Sequence, residues 1–411
     1  MRVIVKNVKL VTGEPVELAV RDGRFVETDA GEVLDGHGLF VMPGLCDPHV
    51  HLRDPGQTHK EDVATGTAAA AAGGFSTVAC MPNTTPTIST PEVISYLLAK
   101  EAHARVLPIA SISEGLAGEK RCDFEALRAA GAAAFSDDGR PVTSDAMMKE
   151  ALLEGARLDR AVISHCEAVT LSKGVMNEGE TQRKLGVRGL PRSAEDLMIA
   201  RDVVLAAETG CPVHIAHVST KSGLEIIRTA KAKGVPVTCE TCPHYFVLND
   251  TAVEREGANA KMSPPLRSEE DRLAVIEAIC DGTVDMLSTD HAPHAPEEKA
   301  LGLEKAPNGI VGLESAFALG VTYLVRPGHI TLARLVELMS AEPLRLLRQE
   351  KNTLSVGDRA DFVLFDPEER FVFNRDKLHS KSKNTPYHGM ELYGRVKLTV
   401  TDGVIQYREE L

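Results

Sequence analysis

The chain has 411 residues, 46 basic and 59 acidic, for a formal net charge of −13. That balance opposes nucleic-acid backbones and anionic membranes as general partners, and the length exceeds what one core usually fills unless that core is a barrel. No charged segment followed by an apolar core opens the chain, and no apolar stretch is long enough to span a bilayer, so a soluble, cytoplasmic protein with one large and one small domain is expected.

Residues 1–40 alternate apolar and polar positions between Gly and Asp turns, as in Arg2-Val3-Ile4-Val5 and Asp22-Gly23-Arg24, and residues 352–411 do the same. Such alternation reads as half-buried antiparallel strands. Either end alone is too small to be stable, so residues 1–42 and 350–411 are expected to build one small β-sandwich; two edge hairpins packed on the rest are the plainer alternative.

Between them, over residues 43–349, short apolar segments alternate with Ala- and Leu-rich helical ones, the pattern of a parallel sheet with crossover helices. The candidate strands finish with Cys46–His51, Thr77–Pro82, Pro108–Ser111, Ala134–Asp137, Val162–His165, Val213–His217, Pro236–Glu240 and Asp285–Thr289. Helices are expected over Asp62–Ala72, Pro91–Ala104, Phe124–Ala130, Ala146–Gly155, Ala194–Thr209, Ser222–Lys233 and Glu269–Cys280, with a last one from Leu332 to about Gln349. Eight β/α units favour an α/β fold of the closed (β/α)8 TIM-like barrel type, flanked by the composite β-sandwich.

A barrel of this kind carries its active site at the carboxyl ends of its strands. Here strand 1 finishes in His49 and His51, strand 4 in Ser136-Asp137-Asp138-Gly139, strand 5 at His165, strand 6 at His217 and strand 8 at Asp290-His291. A lone His-x-His pair is weak evidence. Four histidines and two carboxylates on one rim are the donor set of zinc or a similar divalent ion, and they suffice for two ions roughly 3.5–4 Å apart. That arrangement points to metal-assisted hydrolysis, with Asp290 placed to take a proton from water and return it to a leaving nitrogen. The eight cysteines sit singly in apolar runs, except for Cys239-Glu240-Thr241-Cys242 with His244 beyond it, a spacing open to a zinc knuckle or a redox pair.

The segments Asp47-Pro48-His49-Val50-His51-Leu52-Arg53-Asp54-Pro55-Gly56, Met81-Pro82-Asn83-Thr84, Phe135-Ser136-Asp137-Asp138-Gly139, His217-Val218-Ser219-Thr220 and Ser288-Thr289-Asp290-His291-Ala292-Pro293-His294 resemble the bacterial dihydroorotases of the amidohydrolase superfamily. The resemblance runs over nearly the whole chain. It implies reversible, zinc-dependent closure of N-carbamoyl-L-aspartate to L-dihydroorotate in pyrimidine biosynthesis. It also implies that His49, His51 and Asp290 bind one metal, that His165 and His217 bind a second, and that Asp138, rather than Asp137, bridges them. No lysine stands at the strand-4 end, where many relatives carry a carboxylated one, which counts against a hydantoinase.

For the unreacting carboxylate of the substrate, Arg53 lies two residues beyond His51, on the same face if the strand continues, and can bind it in a bidentate manner. Its plainer fate is a rim salt bridge with Asp54. Asn83 and His294 match the family's other substrate contacts. Two places depart from the pattern: Ser263 replaces the usual Asn before Pro264-Pro265-Leu266-Arg267, and Asn308-Gly309 replaces Phe-Gly, leaving the Gly309 backbone to serve the ring. Sibling readings are an allantoinase or a hydantoinase, and a non-catalytic scaffold for aspartate transcarbamoylase. A homo-oligomer or a complex with that enzyme is compatible with catalysis.

Overall fold

The computed structural model describes residues 2–28 and 31–409. Eight parallel strands, Leu45–Val50, Phe75–Cys80, Arg105–Ala110, Ala134–Ser136, Ala161–Ser164, Val213–Ile215, Val237–Thr241 and Met286–Leu287, lie side by side in chain order. Several are buried along their whole length, such as Leu45–Val50 and Phe75–Cys80, because helices cover one side and the barrel interior the other, so burial does not alternate along them.

The seam between the last strand and the first is closed by single contacts instead of a ladder. Val50 and His291 form a parallel bridge, the His51 N–H donates to the His291 carbonyl at 2.9 Å, and the buried Asp47 carboxylate accepts the Thr289 N–H at 3.2 Å. These contacts join the two strand ends that carry His49, His51 and Asp290.

Helices at Val63–Ala72, Phe124–Ala130, Asp145–Arg157, Ser193–Thr209, Lys221–Ala232 and Glu269–Cys280 match the expected positions closely. Three differences have local causes. The helix from Pro91 ends at Leu98 instead of Ala104, because the chain must extend to enter the strand beginning at Arg105. The last helical region divides into Leu332–Met339 and Ala341–Leu346 at Ser340, whose backbone leaves helical geometry (φ −135°, ψ −72°) and whose hydroxyl donates to the Gly44 carbonyl at 2.8 Å. A helix over Ala316–Gly320, continued as a wider turn through Val321–Val325, is absent from the expected set; the β-branched Val321 and Thr322 lower its helical signal.

The two termini form one sheet. Phe362–Val372 runs antiparallel to Phe40–Pro43, joining the C-terminal strands Glu391–Thr401 and Val404–Arg408 to the N-terminal set. The sheet curls over: the ring of Phe25, in its edge strand Arg24–Val26, lies 6.0 Å from that of Phe362, four strands along. Val3, Val5, Val20, Phe362, Leu364 and Val400 fill the enclosed core. This continuous sheet replaces the alternative of separate edge hairpins.

Candidate active site

The strand ends bring the six candidate ligands together. His49 Nε2 lies 3.3 Å from Asp138 Oδ1 and 3.7 Å from Asp290 Oδ1, and His51 Nε2 lies 3.1 Å from Asp290 Oδ1 and 3.5 Å from Asp138 Oδ2. On the far side, His165 Nδ1 is 3.3 Å and His217 Nε2 3.7 Å from Asp138 Oδ1, and these two nitrogens are 2.8 Å apart. Asp138 therefore stands among four imidazoles. Asp137 points elsewhere: its carboxylate accepts the N–H groups of Ile112 at 2.7 Å and Ser113 at 3.0 Å, just beyond the end of the strand at Ser136.

Burial alone would raise the carboxyl of Asp138; the charge of His49 and the nearby imidazoles of His165 and His217 outweigh it and hold the group well below its ordinary range. Asp290 is likewise penalised by burial and lowered by His49 and His51. Two buried carboxylates held ionised in one pocket call for cations.

The donor atoms fit a metal centre. Ligand atoms of His49, His51 and Asp290 lie within 4.8 Å of one another, as do those of His49, Asp138 and His217. His165 belongs to neither group but borders the second. His49 Nε2 and Asp138 Oδ1 are buried without a hydrogen-bond partner, a costly state that coordination would relieve. Among the described residues no cysteine joins either group: Cys239 and Cys242 are buried thiols, and burial pushes Cys239 up to about 12. The zinc-knuckle and redox readings of that spacing receive no support.

Two carboxylates that the sequence reasoning passed over back the histidines. Glu240 Oε1 accepts from His49 Nδ1 at 2.8 Å, while Oε2 faces His214 Nε2 at 3.3 Å. Glu167 Oε2 is 3.0 Å from His165 Nε2. Each fixes which ring nitrogen faces the centre. The available signals were a glutamate at the end of strand 7 and an acidic residue two beyond His165. Replacing Glu240 by Gln is expected to weaken zinc binding about 10- to 100-fold, checked by competition against a chelating dye.

Arg53 reaches the centre by a route other than strand alternation. The strand stops at Val50, and Arg53 adopts φ 58°, turning its side chain inward, where Nε donates to the Pro293 carbonyl at 3.2 Å and Nη2 lies 3.3 Å from His294 Nε2. Asp54 pairs instead with the Tyr96 hydroxyl, 2.8 Å away, so the rim salt bridge with Arg53 is not formed. Asn83 Oδ1 is 2.8 Å from His51 Nδ1, and its Nδ2 faces Asp138 Oδ2 at 3.5 Å. Gly139 leaves room for that amide: it sits at φ 76°, and a Cβ there would lie 3.0 Å from Asn83 Nδ2.

A cavity of about 280 Å³ opens onto this cluster, with Arg53, Asn83, Ser263, His294 and Asn308 in its walls. Gly309 is not part of the lining. Its N–H donates to the Lys261 carbonyl at 2.9 Å, and its own carbonyl accepts from Lys299 Nζ and Asn384 Nδ2 at 2.9 and 3.0 Å, so neither backbone group is free for a ring.

The Dihydro-orotase-like family model matches residues 38–223. The chain is 48% identical over 393 residues to a dihydroorotase of Acetivibrio thermocellus, covering 95% of this chain and 92% of the relative. It is 45% identical over 426 residues to one of Ruminiclostridium cellulolyticum, covering both chains fully. Among solved structures it resembles an L-hydantoinase (dihydropyrimidinase) from Arthrobacter aurescens, with a TM-score of 0.88 and 29% identity over 98% of this chain and 96% of the other.

Proposed function

The chain belongs to the dihydroorotase family of cyclic amide hydrolases, and from that premise we propose how its rim of histidines and carboxylates carries out the reaction. The enzyme interconverts N-carbamoyl-L-aspartate and L-dihydroorotate, a step of pyrimidine biosynthesis. The observation that carries the assignment of roles is the single cavity shared by Arg53, a cationic clamp, and the buried carboxylates Asp138 and Asp290.

His49, His51 and Asp290 would hold one metal, His165 and His217 another, and Asp138 would bridge them. Bound zinc supplies a Lewis acid and a water of lowered pKa. In the hydrolytic direction Asp290 takes the proton of the attacking water, oxygen adds to the ring amide carbonyl carbon, the C–N bond breaks, and Asp290 returns the proton to the departing nitrogen. Arg53 and His294 bind the carboxylate that does not react, while Asn83 holds the orientation of His51 and faces the ring. Ser263 and Asn308 provide polar wall where the family pattern has a larger amide and an aromatic ring.

We further assign catalysis to residues 43–349 and a supporting role to the sheet of 1–42 and 350–411, with a cytoplasmic location. Among the described residues no helix is long and apolar enough to cross a membrane. Leu197 and Val204, both more than half exposed on one helix, offer a surface for self-association or for aspartate transcarbamoylase.

The test compares turnover of L-dihydroorotate, hydantoin and allantoin by the zinc-loaded protein. Dihydroorotate should be preferred by about 100-fold or more, the discrimination expected from a desolvated charge-assisted contact. Preference for either other ring would overturn the substrate assignment. Arg53→Ala should raise KM for dihydroorotate by about the same factor with a smaller change in kcat, and Arg53→Lys should recover only part of it.

A further inference from the structure

His294 has charged neighbours at both ring nitrogens. Its Nε2 lies 2.7 Å from the Asn308 carbonyl oxygen, which only accepts, so Nε2 carries a hydrogen. Arg53 Nη2, 3.3 Å from the same nitrogen, then cannot donate to it. Nδ1 sits between two groups with opposite demands: Lys60 Nζ at 3.5 Å, which can only donate, and Glu298 Oε2 at 3.6 Å, which can only accept. Lys60 and Glu298 are themselves paired at 2.9 Å, and Glu298 Oε2 already accepts the Ala295 N–H at 3.0 Å. Burial, with Arg53, Lys60 and Lys299 around it, pushes the ring down to about 2, so it is neutral at physiological pH.

We infer that Lys60, which does not line the cavity, is a positioning residue: its ammonium, held by Glu298, keeps His294 in the neutral tautomer with hydrogen on Nε2, facing Arg53 and the substrate carboxylate. The inference rests on the proposed clamp of Arg53 and His294. Without Lys60, Glu298 is the charged partner left at Nδ1 among the described residues and draws a proton there. Nε2 keeps its hydrogen against the Asn308 carbonyl, so the ring then becomes an imidazolium beside Arg53.

Nitrogen-15 NMR of histidine-labelled protein tests this together with kinetics. The wild-type His294 should show an unprotonated Nδ1 and a protonated Nε2 throughout about pH 6 to 8. Lys60→Met should place a proton on Nδ1 within that range and change KM for dihydroorotate by about tenfold with kcat within about twofold, the size of one charged hydrogen bond. Lys60→Arg should restore both, and Glu298→Gln added to Lys60→Met should return Nδ1 to its unprotonated state. A protonated Nδ1 in the wild type, or unchanged Nδ1 shift and KM in Lys60→Met, would overturn the inference. If Lys60→Met does not fold, the wild-type and Lys60→Arg spectra still decide the tautomer. The spectra need no turnover, so a wild-type protein inactive on dihydroorotate would defeat the proposed function and leave the tautomer result standing.

Discussion

Asp290→Ala is expected to lower the rate of dihydroorotate opening by about 10²- to 10⁴-fold, the range associated with loss of a positioned proton acceptor and donor. The carboxylate is buried, 3.1 Å from His51 Nε2 and 3.7 Å from His49 Nε2, and it lies at φ 45° on the strand end stitched to the first strand. The other carboxylate of the cluster, Asp138, is already held among the four imidazoles and does not stand in for it. Asp290→Asn separates two roles: it keeps an oxygen that can face a metal and removes the base. Metal content near that of the wild type with a comparable loss of rate would identify proton transfer as the main contribution. Full activity in either variant would remove Asp290 from the mechanism.

The second large effect is expected at Asp138. Its two oxygens lie within 3.3–3.7 Å of nitrogens of His49, His51, His165 and His217. Asp138→Ala leaves these imidazoles facing one another with one anion fewer, so bound metal should fall from about two to about one per chain or below, and turnover by about 10³-fold. Asp137 supplies the contrast. Its carboxylate caps the Ile112 and Ser113 amides, so Asp137→Ala should cost about 1–3 kcal/mol of folding stability while metal content is retained. Metal analysis and thermal melts on both variants distinguish a ligand from a structural cap. Loss of metal in the Asp137 variant with retention in the Asp138 variant would reverse the assignment.

The barrel was legible because short, largely buried segments alternate regularly with helical ones, and because the metal-binding residue types recur where those segments stop. Side-chain direction was less legible. Arg53 was expected to share a face with His51 by continued alternation, whereas a left-handed turn puts it in the cavity. Gly309 was expected to offer its backbone, yet that backbone is already bonded to Lys261, Lys299 and Asn384, partners distant in sequence. Glu240 and Glu167 were passed over for a related reason: their positions near strand ends are visible in the sequence, but their roles exist only through contacts with His49 and His165. Ser340 divides the last helical region through a bond to Gly44, nearly 300 residues earlier, so propensity carries no sign of it.

The most direct test strips the purified protein of metal with a chelator, then titrates zinc while measuring bound metal per chain and dihydroorotate turnover on the same samples. The site described here predicts negligible activity in the stripped protein and turnover that rises with bound zinc to a plateau at about two per chain. Undiminished turnover in the stripped protein, or zinc bound at that stoichiometry with no opening of dihydroorotate, would contradict it.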